Sequence, residues 1–130
     1  MTRQPLLKPK AKRAQPEAQL QRAVVQVLRL MALPNVIWYS STTGVKMAPR
    51  TAAHMKAMGM TAGVPDLCFV GRSGIPFFLE LKSAKGKQSP EQVSFQTKCN
   101  LNGTVYGLVN NIDDAIEWLV FHDLIKDYRK

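Results

Sequence analysis

Three charged residues stand where apolar ones would be expected. Asp66 opens a short apolar run, and Glu80-Leu81-Lys82 closes the next one, fourteen positions later. The runs Asp66 to Val70 and Ile75 to Lys82 flank Gly71-Arg72-Ser73-Gly74, the pattern of a β-hairpin. Residues two apart on a strand share a face, so Glu80 and Lys82 lie together and Leu79 and Leu81 face the other way. Folding the hairpin brings Asp66 opposite residue 79 or 80. Two carboxylates ~4 Å apart repel by roughly 4 kcal/mol at a protein-surface dielectric, so something must offset them. Lys82 offsets part, and a hard divalent cation offsets more. Two carboxylates, water and a nearby ammonium are what metal-assisted phosphodiester hydrolysis requires. The bland alternative is an exposed strand edge that carries charge against aggregation.

The surrounding elements must position these groups. Pro16 suits the first turn of a helix, and Leu20, Val24, Val27, Leu28 and Met31 recur at helical spacing, which predicts a helix over 16–32. Asn35 to Ser41 reads as a strand. Residues 42–63 read as a long loop with a short helical piece around Ala52 to Ala57. Residues 84–88 read as a basic loop. Ser89-Pro90-Glu91-Gln92 is a helix start with Gln92 as capping-box partner, and Asn102-Gly103 is its stop. Thr104 to Val109 reads as a strand, and Asn110 and Asn111 cap a last helix carrying Ile112, Ile116, Leu119, Val120 and Leu124. This is an α/β domain with a mixed sheet and helices on both faces, over one domain spanning 16–130.

Composition narrows the partners. Among 130 residues, 18 are Lys or Arg and 9 are Asp or Glu, a net charge of +9. That favours a polyanion, nucleic acid before an anionic membrane. Residues 1–15 read as a flexible basic arm. Arg50, His54, Lys56, Lys85 and Lys87 are candidates for phosphate contact without sequence readout. No apolar run approaches a membrane span, no secretory pattern is present, and Cys68 and Cys99 form neither a disulfide framework nor a metal finger, so a reducing cytoplasmic setting is expected. Trp38, Tyr39 and Trp118 are expected in the core, and His122 as an ordinary helix histidine. His54 and His122 have no partner at zinc-ligand spacing.

With these pieces in view, the sequence resembles the VRR-NUC branch of the PD-(D/E)xK nuclease superfamily, in its small stand-alone phage and bacterial type. The resemblance rests on Glu17-Ala18-Gln19-Leu20-Gln21, Gly63-Val64-Pro65-Asp66-Leu67, Glu80-Leu81-Lys82, and Ser89-Pro90-Glu91-Gln92 followed by Phe95. It implies a restriction-endonuclease-like α-β-β-β-α-β-α core. It implies Asp66, Glu80 and the Leu81 carbonyl as ligands of Mg²⁺ or Mn²⁺, with Lys82 positioning or activating the nucleophilic water. Glu17 would reach the site from the first helix, and Gln92 would sit beside it. The expected activity is a metal-dependent DNA endonuclease acting on branched DNA such as Holliday junctions, as a homodimer, with residues 112–125 as a candidate dimer face. The segment Tyr39 to Gly44 departs from the family by carrying hydroxyls where Asn-rich residues are common, which bears on Ser41 and Thr43. The competing reading is a basic module that binds nucleic acid without cutting it.

Overall fold

The computed structural model describes residues 16–41 and 47–129. The basic arm and Thr43 lie outside the described residues. The elements run α1 (Pro16–Met31), β1 (Ile37–Ser40), α2 (Pro49–Ala57), β2 (Leu67–Val70), β3 (Pro76–Leu81), α3 (Pro90–Asn102), β4 (Val105–Val109) and α4 (Ile112–Phe121). The four strands form one mixed sheet in the order β1-β2-β3-β4, with flanking helices.

Two compact units make up the chain. One comprises residues up to Leu33, Leu81–Gly86 and residues from Val109 onward; the other comprises Pro34–Glu80 and Lys87–Leu108. In the first, α1 buries Leu20, Val24 and Leu28, the stripe its sequence spacing predicts, and contacts α4, which buries Ala115, Ile116 and Leu119. Backbone bonds from Leu33 to the Leu124 carbonyl and from Lys126 to the Met31 carbonyl tie the ends of these helices together. The Asn111 side chain caps α4 by accepting from the Asp114 N–H at 2.8 Å. Leu124 and Ile125 are buried too, whereas Phe121 on the same segment is exposed.

In the second unit, β2 pairs antiparallel with β1 and β3, and the sheet sorts its residues by alternation. Leu67, Phe69, Phe77 and Leu79 share one face and are all buried. Asp66, Cys68, Phe78 and Glu80 share the other. Helix α3 covers that second face: the Phe95 ring stands edge-on to Phe78 at 5.1 Å.

Several expectations shift in detail. Strand β1 begins at Ile37 because Asn35 takes a positive φ of 69°, a turn conformation. Tyr39 is exposed, not core, since β1 is the sheet edge. Helix α2 occupies Pro49–Ala57, beginning three residues before the short helical piece expected around Ala52 to Ala57. It buries no residue, so it has no apolar stripe to announce it. His122 lies at the C-cap of α4, not within the helix.

Candidate active site

The cross-strand register fixes the acid pair. Leu67 faces Leu79, so one step further places Asp66 directly across from Glu80, on the same face of the sheet. Asp66 is held on its other side as well, because its carbonyl accepts from the Ser41 N–H at 2.9 Å. Glu80 lies on an interior strand and is 1% exposed. That overturns the reading of these charges as an exposed-edge device. A carboxylate this deep needs compensation from donors or a cation.

One donor comes from α3. Gln92 Nε2 donates to Glu80 Oε2 at 2.8 Å. The same side chain closes the capping box: its Oε1 accepts from the Ser89 N–H at 2.8 Å, and Ser89 Oγ accepts from the Gln92 N–H at 3.2 Å. The two contacts fix the amide. Once Oε1 is committed to the helix cap, Nε2 is the group turned to the carboxylate. The capping role and the site role of Gln92 are thus one arrangement.

Gly63 explains the Gly-Val-Pro-Asp segment. It has a φ of 84°, and a Cβ there would collide with the backbone of Glu91 and Gln92. The loop that delivers Asp66 is pressed onto the first turn of the helix that delivers Gln92, at a distance open to glycine alone.

The charge of the acid pair is felt by its neighbours on this face. Burial pushes the Cys68 thiol up, a hydrogen bond with Tyr39 opposes this, and Asp66 raises it further. Burial likewise pushes Tyr106 up to about 12, against the Gln88 donor, with Glu80, Cys99 and Asp66 adding to the rise.

The first unit carries Glu17, Lys82 and Lys85. Lys82 follows Glu80 by two positions; it is half-buried, and its N–H donates to the Val109 carbonyl at 3.0 Å. The next four residues form a turn, with the Gly86 N–H donating to the Ser83 carbonyl at 2.9 Å. The Glu17 carboxylate leans on this turn: Oε2 lies 3.1 Å from where a Gly86 Cβ would stand, and Ser83 Oγ lies at 3.0 Å. Glu17 therefore reaches from α1 to the turn next to Lys82. Arg50, His54 and Lys56 on α2 are exposed, as are Lys85 and Lys87.

As a metal donor set, Asp66 and Glu80 are hard oxygen ligands in register, suited to a small divalent cation that keeps waters and takes substrate oxygens. Among the described residues no group of three or more His, Cys, Asp or Glu forms a metal cluster. Gln88, Gln96 and Tyr106 were not singled out in the sequence. The available signal was Gln92 and Gln96, four apart on the same stripe as Phe95 and Cys99, where an inward helix face would otherwise be apolar.

Comparison with known proteins agrees with this geometry at the level of fold. No protein-family model and no curated protein matches the chain. Solved structures do match, among them two with VRR_NUC descriptions. One, described as a VRR_NUC domain, has a TM-score of 0.56 and 16% identity over 82% of this chain and 96% of its own. The other, described as a VRR_NUC domain protein, has a TM-score of 0.63 and 19% identity over 82% of this chain and 87% of its own. The fold of this chain is that of the VRR_NUC domain structures, the α/β architecture that its four sequence motifs resemble.

Proposed function

We propose that this protein is a divalent-metal-dependent nuclease of the PD-(D/E)xK type that hydrolyses phosphodiester bonds in DNA. The observation that carries this reading is Glu80, a carboxylate 1% exposed on an interior strand, directly across from Asp66 and held by a helix amide. A purely structural strand gains nothing from two acids in register, and a module that merely binds phosphate is weakened by them.

In this reading Asp66, Glu80 and the Leu81 carbonyl hold Mg²⁺ or Mn²⁺. When bound there, the cation supplies charge compensation at the phosphoryl oxygen and a water of lowered pKa. The protein's own groups do the rest. Gln92 fixes the orientation of the Glu80 carboxylate, as outer hydrogen-bond partners of ligands do. Lys82 orients the attacking water and steadies charge developing on the phosphoryl group. Glu17 assists from α1. Arg50, His54, Lys56, Lys85 and Lys87 hold the nucleic-acid backbone without reading bases. So small a chain offers one copy little surface for a branched substrate. We therefore assign branched DNA, including four-way junctions, to a homodimer that sets two sites against two strands.

The test is incubation of nicked, flapped, four-way and plain duplex DNA with Mg²⁺ or with EDTA, for the wild type and Lys82→Ala. Metal-dependent cutting lost in Lys82→Ala supports the nuclease. Binding by both proteins with no cutting by either supports the non-catalytic module instead. Light scattering with and without a four-way substrate checks the dimer.

A further inference from the structure

A tyrosine shares the face and the helix that hold the acid pair. Tyr106 lies on β4, the neighbour of β3 in the sheet, and its ring packs on Phe95 with centroids 6.5 Å apart. Phe95 in turn packs on Phe78, which shares its side of β3 with Glu80. The Tyr106 hydroxyl accepts from Gln88 Nε2 at 3.2 Å, and the same Nε2 donates to Gln96 Oε1 at 3.0 Å. Gln96 stands one helical turn after Gln92, whose amide holds Glu80. Side chains four apart on a helix are neighbours, with Cβ atoms about 5–6 Å apart. The phenol and the acid pair are thus served by adjacent positions of one helix stripe.

The hydrogen-bond count of this phenol is incomplete. A tyrosine hydroxyl both accepts and donates. Here the acceptor side is taken by Gln88, and among the described residues the hydroxyl donates to none. Burial and the nearby acids keep its proton in place up to about pH 12. It is a permanent donor, half-buried, on the face where two carboxylates lie in register.

We propose that the Tyr106 hydroxyl donates to a phosphoryl oxygen of the nucleic-acid backbone bound beside Asp66 and Glu80, as a substrate-contacting residue of the reaction. The proposal rests on the nuclease reading above. A phosphate is the strong acceptor that such a site admits, and a neutral donor contacts it at no cost in charge beside the acids. Gln88 then has a defined task. By occupying the acceptor side of the hydroxyl, it leaves the O–H free to turn to the substrate.

Single-turnover cleavage of a branched DNA by the wild type, Tyr106→Phe and Gln88→Met tests this, with a thermal melt of each protein. Tyr106→Phe keeps the ring on Phe95 and removes only the hydroxyl, so an unchanged melt and a loss of about tenfold in cleavage are expected. Gln88→Met removes the donor to Tyr106 and leaves the phenol, so a loss under about threefold is expected. Stereopure phosphorothioates at the scissile position supply a readout that packing does not move. In one isomer sulfur replaces the oxygen that Tyr106 contacts, and there the Tyr106→Phe penalty shrinks, as coupled groups require. An indifferent Tyr106→Phe, an equal loss in Gln88→Met, or the same penalty on both isomers and the parent DNA overturns the assignment. A wild type that cuts no DNA overturns the nuclease reading and this proposal with it, whereas a cutting wild type with an indifferent Tyr106→Phe overturns this proposal alone.

Discussion

At the scale of single residues, Glu80 and Gly63 make opposite predictions. In the proposed reading Glu80 is a charge buried for its chemistry, so removing the charge is expected to relieve the fold while ending cleavage. Glu80→Gln keeps the shape and can still accept from Gln92, and its melting temperature is expected to be equal to or above that of the wild type. Metal-dependent cleavage is expected to fall by about a hundredfold or more, beyond the upper loss typical for an outer partner of a ligand. A thermal melt beside a cleavage assay reads both signs. Gly63→Ala does the reverse. Its Cβ meets backbone, not a side chain that can swing away, and its φ is left-handed. The expected cost is about 3 kcal/mol in urea unfolding, from overpacking plus backbone strain. The acid pair was legible in the sequence because hairpin register follows from alternation and a short link, both local. The buried state of Glu80 was not, because burial depends on β4 and α3 arriving from farther along the chain.

At the scale of elements, legibility follows whether an element announces itself by what it buries. Helix α3 carries its signals in consecutive residues: Ser89 as cap, Gln92 closing the box, and Gly103 in the left-handed conformation at the end, with φ 82°. Helix α2 buries nothing, and its first turn, ahead of the helical piece expected around Ala52 to Ala57, was read as loop. Tyr106 was passed over because its meaning depends on β4 lying next to β3, a fact of sheet order that no window of sequence contains. Helix α4 gives two predictions. Asn111→Ala removes the acceptor for the Asp114 N–H and is expected to cost about 1 kcal/mol in urea unfolding. His122, at the other end, stands edge-on to Trp118 and Phe121, and burial lowers its pKa below the ordinary 6.5. The folded chain therefore binds this proton less readily than the unfolded one. The stability it contributes is full above about pH 6.5 and is lost as pH falls through the depressed folded value. Urea midpoints at pH 7.5 and pH 5 are expected to differ less in His122→Phe than in the wild type.

At the scale of the whole molecule, a net charge of +9 and a pair of acids at the candidate site pull in opposite directions on the same ligand. The distributed cations attract a nucleic-acid backbone from any sequence, while Asp66 and Glu80 repel the one phosphate brought against them. The two effects separate by salt and by metal. Each phosphate neutralised by a Lys or Arg contributes about −0.9 to the slope of log affinity against log salt on duplex DNA. Lys85 and Lys87 are exposed on the loop between Lys82 and Gln88. Lys85→Ala with Lys87→Ala is expected to flatten that slope by roughly two and to weaken all duplex sequences alike. Glu80→Gln in EDTA is expected to do neither. It leaves the number of released counterions nearly unchanged and binds DNA more tightly than the wild type, because a repulsive charge beside the phosphate is gone. Fluorescence anisotropy across a salt series in EDTA checks both. A Glu80→Gln protein that binds more weakly than the wild type would mean that no phosphate approaches this carboxylate, and the acid pair would then have to serve something other than the DNA backbone.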